Sequence, residues 1–158
     1  MSAVIIGVDP GLKGAICVHR GPDSIEVFDM PTIERIVNGK ARNMVDPYQF
    51  RDIIINAGPC DLVVLEKPST RPGESPIAAL SYGIGFGQMQ GVLVALERRF
   101  TTVTPQEWTK VLRVGADKDL HRLVAMQNFP HAADLFKRKK DDGRADAALI
   151  AHWASRHE

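Results

Sequence analysis

The 158-residue sequence predicts an α/β fold, and three observations carry that expectation. "AVIIGVD" near the N-terminus is an apolar strand ended by an acid. "GAICVHR" and "IEVFDM" follow it across the turn signals "PG" and "GPDS", which makes an antiparallel meander. "DLVVLE", residues 61–66, is a nearly continuous apolar run, as in a strand covered on both faces, and segments with helix-start signals lie on either side of it.

Each later element follows from local chemistry. Residues 31–45 are polar and show no clear period, so no element is assigned there. Asp46-Pro47 reads as an N-cap with proline at the first helical position, opening "YQFRDIIINAG", which Gly58-Pro59 stops. "DLVVLE" is expected to run parallel to the first strand, and the proline and glycine of "KPSTRPGES" make the next segment a loop. Residues 76–96 carry no charge and are long enough to span a bilayer. Ser81, Tyr82, Gln88 and Gln90 instead favour a buried helix of a chain with no membrane role. Gly83, Gly87 and Gly91 leave one face of that helix nearly bare, open to close approach by a sheet or by a second helix. "FTTVT" reads as a strand and "TPQEWTKVL" as a helix with a Thr104 to Glu107 capping box and Pro105 at its first position. "DKDLHRLVAMQNF" is amphipathic and ends at Pro130. The last helix begins near Asp142, with Ala145, Leu149 and Trp153 on a face that can lie on a sheet.

Composition limits the alternatives. With 44% hydrophobic and 25% charged residues, the chain can bury one full core, and residues 1–158 are expected to form a single domain. The N-terminus lacks the pattern of a secretory leader, Cys17 and Cys60 make no CxxC pair, and the histidines show no zinc-finger spacing. A cytoplasmic setting with reduced thiols is therefore expected. The formal net charge of +1 is unevenly spread: residues 98–144 carry 11 Lys and Arg against 6 Asp and Glu, while residues 1–97 carry 8 against 11. A basic zone next to acids suits a polyanion held against metal-binding carboxylates.

Those acids are Asp9 and Glu66, which end two central strands, and Asp142 and Asp146, four apart at the start of the last helix. Neighbouring strands would bring Asp9 and Glu66 to one edge of the sheet, where open α/β folds place their sites. A helix crossing that edge could add Asp142 and Asp146. Four carboxylates so close require a counter-charge. A hard divalent cation such as Mg²⁺, which takes a few carboxylates plus water and phosphate oxygen, would supply it. Taken singly, each acid has a plainer reading: a turn residue at Asp9, a strand end at Glu66, and favourable helix-dipole positions at Asp142 and Asp146.

"IIGVDPGLKGAICV", "VVLEKP", "TPQEWTKVL" and "KKDDGRADAALIA" together resemble the RuvC-type Holliday junction resolvases of the RNase H-like superfamily, especially their compact phage and prophage forms. The resemblance covers nearly the whole chain. It implies an RNase H-like five-stranded mixed sheet flanked by helices, a homodimer, and paired nicking of four-way DNA junctions with Mg²⁺, for which Mn²⁺ could substitute. It assigns Asp9, Glu66 and Asp146 as catalytic metal ligands. Asp142 is the fourth candidate, although the best-known bacterial form spaces its last two acids by three, and Gly143 stands there. That form also has an aromatic wedge after the fourth-strand Glu, where this chain reads "KPSTRPGES". Lys67, Arg71, Lys110, Arg113, Lys118, Lys137, Arg138, Lys139, Lys140 and Arg144 are the expected phosphate contacts, which position DNA without reading its sequence. A nuclease of the same superfamily acting on other branched DNA or on hybrids remains open, as does a non-catalytic DNA-binding module. The opening also looks like the phosphate hairpin of actin-like sugar kinases, but those need two such domains.

Overall fold

A computed structural model of the chain describes residues 2–157. In chain order its elements are β1 (Ile5–Asp9), β2 (Ala15–Gly21), β3 (Ser24–Asp29), β4 (Thr32–Val37), β5 (Lys40–Val45), α1 (Pro47–Asn56), β6 (Leu62–Glu66), α2 (Pro76–Ala95), β7 (Phe100–Val103), α3 (Pro105–Leu112), α4 (Lys118–Asn128) and α5 (Asp142–Ser155). Two 3₁₀ segments, Pro130–Phe136 and Lys139–Asp141, lead from α4 into α5. The main sheet has five strands in the order β3-β2-β1-β6-β7. β1, β2 and β3 form the antiparallel meander, while β6 runs parallel to β1 and β7 parallel to β6. This is the mixed α/β sheet expected from the sequence.

Strand alternation divides the core into two layers. Ile5, Ala15, Cys17, Leu62 and Val64 face α5, α4 and α3, in a cluster that also holds Trp108, Phe129 and Leu149. Ile6, Val8, Ile16, Val63 and Leu65 face α1 and α2, packing on Phe50, Ile54, Met89 and Leu93. α5 is the central helix: Ala145, Ala147, Ala148, Leu149, Ile150 and Ala151 are all fully buried. It lies so close to the sheet because Gly7 has no side chain. A Cβ there would fall 2.3 Å from Ala147 O and 2.7 Å from Ala151 N. Two more glycines seat the N-terminal end of α5 on the turn after β1. A Cβ on Gly14 would meet Asp9 O at 2.0 Å, and one on Gly143 would meet Lys13 O at 2.2 Å.

The capping signals are realised. The Asp46 carboxylate accepts from Tyr48 N at 2.9 Å and Gln49 N at 3.2 Å, and Glu107 returns to Thr104 N at 2.6 Å.

Two expectations are corrected. Residues 31–45 are regular after all: β4 and β5 form a separate antiparallel hairpin closed by Asn38 and Gly39, with φ of 52° and 73°. Two consecutive positive φ values suit a two-residue hairpin turn, which Asn-Gly favours. The hairpin shows no hydrophobic alternation because nearly all its residues are exposed. α2 is also not a buried helix. It packs on the sheet layer through Gly85, Met89 and Leu93, while Ile77, Leu80, Ile84 and Val94 are exposed. By length and composition α2 would pass for a membrane span. A Cβ on Gly83, Gly87 or Gly91 would meet nothing within 4 Å, so the bare glycine face points outward and not at the sheet.

Candidate active site

Register brings the strand-end acids together. Val8 pairs with Leu65 across the parallel β1 and β6, and Asp9 and Glu66 are the next residue on each strand. Asp9 continues the parity of Ile5 and Gly7, and Glu66 that of Leu62 and Val64, so both carboxylates project toward α5. Asp146, one turn inside α5 and 2% exposed, meets them from above. Electrostatics registers the meeting. Burial, with Asp146 and Glu66 nearby, pushes the Asp9 carboxyl up to about 7. Burial likewise raises Glu66, although a hydrogen bond from Trp108 Nε1 to Glu66 Oε2 at 2.7 Å works the other way.

Asp146 is held at both oxygens. His121 Nδ1 lies 2.6 Å from Oδ1, and Lys118 Nζ lies 2.5 Å from Oδ2. His121 Nε2 is 2.8 Å from Gly115 O, a carbonyl that only accepts, so this nitrogen donates. Burial works against charge on the imidazole, but Asp146 and the Gly115 carbonyl raise its pKa, which suits a ring donating at both nitrogens. Trp108 braces the ring edge-on at 5.3 Å between centroids. Lys118 is likewise raised, its burial outweighed by Asp146 and, behind it, Asp9 and Glu66. Among the described residues no three acidic or histidine side chains stand close enough, as placed, to hold an ion.

Asp142 is not brought into this cluster. Its carboxylate pairs with Arg122, and it lines a separate cavity of about 650 Å³ with Lys13, Lys139, Lys140 and Asp141. Several expected phosphate contacts are also engaged inside the protein. Lys118 holds Asp146, Arg138 is 2.9 Å from Asp141, Arg144 grips Asp29 at 2.7 and 2.9 Å, and Lys137 pairs with Asp134. Lys139 and Lys140 are exposed and form no ion pair among the described residues. Lys67 and Arg71 line a cavity of about 350 Å³ beside Glu66 and Tyr82. Lys110 and Arg113 lie exposed on α3 and at its C-terminal cap. His121 and Trp108 were not singled out in the sequence. Neither carries a local sequence signal: each reaches the site because its helix packs against α5.

No protein-family model matches the chain. The chain is 34% identical over 92 residues to the chloroplastic Holliday junction resolvase MOC1 of Chlamydomonas reinhardtii, a match covering 57% of this chain and 10% of that protein. The chain therefore spans only a small part of this curated relative. Among solved structures, T. thermophilus RuvC in complex with a Holliday junction substrate superposes with a TM-score of 0.68 at 15% identity, covering 98% of this chain and 96% of that one. The fold is that of RuvC. The yeast mitochondrial Holliday junction resolvase matches over 98% of this chain and 78% of its own, with a TM-score of 0.54 and 17% identity. Within this RuvC fold, Asp9, Glu66 and Asp146 occupy the carboxyl ends of the two central strands and the helix that crosses them.

Proposed function

We propose that the protein is a divalent-metal-dependent endodeoxyribonuclease that resolves four-way DNA junctions by paired nicks. The observation that carries this reading is the convergence of Asp9 and Glu66, on adjacent parallel strands, with Asp146 from α5 on one face of the sheet. The resolvase relative and the RuvC neighbour solved with junction DNA support the choice of substrate.

Three converging carboxylates, with Asp9 pushed up to about 7 by burial and then by Asp146 and Glu66, are a hard-oxygen donor set suited to Mg²⁺, with Mn²⁺ as a substitute. When bound, such ions activate water and stabilise the leaving oxygen of a phosphodiester. The chain's own contribution is orientation. Trp108 fixes one oxygen of Glu66, His121 fixes one oxygen of Asp146, and the Gly7 contact holds α5 at a set height above β1. Asp142, tied to Arg122, stands outside this ligand set. Lys139 and Lys140, two residues before it at the nearest, hold phosphates beside the site.

A second copy of the chain completes the function, because two opposed strands must be cut. The exposed α2 face, with Gly83, Gly87 and Gly91 flanked by Leu80, Ile84 and Val94, is the proposed homodimer contact. A bare backbone seam tolerates little added volume. Gly87→Leu should yield a folded monomer by light scattering, and a folded dimer would move the contact elsewhere.

The deciding assay offers four-way junction, flap, linear duplex and RNA–DNA hybrid side by side with Mg²⁺ to the wild type and to Asp9→Asn. Symmetric nicking of the junction by the wild type alone is expected. Preference for the hybrid would overturn the substrate assignment.

A further inference from the structure

Lys118 was expected to be a phosphate contact, yet it lies among the acids. Its Nζ sits 2.5 Å from Asp146 Oδ2, while His121 takes Oδ1, so each oxygen of Asp146 already faces a nitrogen donor. The two donors differ in how they are anchored. His121 is buried, bound at its other nitrogen to Gly115 O and braced by Trp108. The Lys118 side chain is half exposed. It springs from the first position of α4, directly after the Asp117 cap, on four flexible methylenes.

We propose that Lys118 is a built-in counter-ion of the carboxylate cluster and that a divalent cation must displace it to reach Asp146. The inference rests on the reading of Asp9, Glu66 and Asp146 as metal ligands. With Lys118 Nζ 2.5 Å from Oδ2 and His121 on Oδ1, a divalent cation approaching Asp146 meets a positive charge already at hydrogen-bond distance from the more open oxygen, and two cations at such close range repel. His121 stays in place through the exchange, because its ring is tied at both nitrogens. Lys118 leaves, because its arm can swing into solvent with no change in the backbone. Its pairing thus keeps three like charges tolerable without metal and weakens metal binding by the strength of the bond that must break. Lys118 is a positioning residue in this scheme, and it sets how much cation the protein needs.

The test uses the full chain without DNA and Mn²⁺ alone as the probe, in calorimetric titrations of the wild type, Lys118→Met and Asp9→Asn. Methionine keeps the length and apolar stem of lysine and removes the charge. A charge-assisted hydrogen bond is strong enough that its loss should tighten Mn²⁺ binding by about tenfold. The thermal midpoint of Lys118→Met should fall without metal and return to the wild-type value with saturating Mn²⁺. A merely structural lysine gives the opposite result on affinity, since loosening the cluster weakens metal binding. Mn²⁺ affinity in Lys118→Met equal to or below the wild type, with binding still lost in Asp9→Asn, overturns the counter-ion role and leaves the metal site standing. Wild-type affinity retained in Asp9→Asn overturns the metal-site reading itself. Lys118→Gln provides a second, polar variant, and agreement between the two separates loss of charge from a packing effect of methionine.

Discussion

Replacing Gly7 by alanine tests whether the spacing of β1 and α5 governs the site. The new methyl would lie 2.3 Å from Ala147 O, 2.7 Å from Ala151 N and 3.0 Å from Ala151 Cβ. Non-bonded heavy atoms keep about 3.5 Å or more, so strand and helix must part by roughly 1 Å. The first two obstacles are backbone atoms, which no rotamer change can move aside. Overpacking of this kind costs about 1–3 kcal/mol, and the rigid neighbours place Gly7→Ala toward the upper end. For a chain of this size that lowers the thermal midpoint by about 6–12 °C. The effect on function is larger in proportion. Asp9 is two residues along β1 from Gly7, and Asp146 precedes Ala147, so the same displacement separates the carboxylates. A misplacement of about 1 Å can reduce the rate of a positioned reaction roughly 100-fold. Circular dichroism melting and single-turnover cleavage of a four-way junction at saturating Mg²⁺ would measure both, with gel-shift binding in the absence of metal as the control. The expected result is a lower melting point, a much slower nick and unchanged binding. Wild-type melting and cleavage in Gly7→Ala would refute the claim that this contact sets the height of α5.

Other expectations follow from the same site. His121→Phe removes the fixed partner of Asp146 and should weaken Mn²⁺ binding by about 10–100-fold, as loss of a ligand-orienting hydrogen bond does; unchanged calorimetric affinity would contradict this. Asp9 has its folded-state pKa raised from 3.8 to about 7. Its contribution to the stability of the metal-free protein is therefore fully present below the unfolded value and is lost as pH rises through about 7. Melting points in chelator should fall between pH 5 and 8, while apparent Mn²⁺ affinity rises over the same range. A melting point that rises through this range would contradict the assignment. Lys139→Ala with Lys140→Ala should flatten the logarithmic salt dependence of junction binding by up to about two units, and an unchanged slope would return both to plain surface residues.

Much of the site was legible because it depends on local pattern. "IIGVD" and "DLVVLE" announce buried strands, and an acid at the end of each is visible without coordinates. Caps at Asp46 and Thr104 are equally local. What stayed hidden depends on partners far along the chain. Hydropathy marks residues 76–96 as uncharged and mostly apolar but does not say which face the sheet will cover. By helix position alone Asp142 and Asp146 look alike, yet Arg122 takes one, while Lys118 and His121 take the other. The hairpin at 32–45 is a different case. Its Asn38-Gly39 turn was a readable signal, but strands with no buried face give no alternation to accompany it.

α5 is synthesised after every strand of the sheet that it covers, and this has a consequence in the cell. At ribosomal rates of about 5–20 residues per second, roughly 7–27 seconds pass between the making of Asp9 and that of Asp146. Once Glu66 is made the nascent chain carries two of its three converging carboxylates, while the β1 and β2 face that α5 will cover lies open. A chain stalled or cut before Asp142 thus lacks both its central helix and an acid of the proposed metal site. Its fragments would be sticky and prone to chaperone capture or proteolysis, and they would lack the complete proposed ligand set. Placing Asp146 on the helix that covers the β1 and β2 face makes assembly of the proposed metal site coincide with closure of this core.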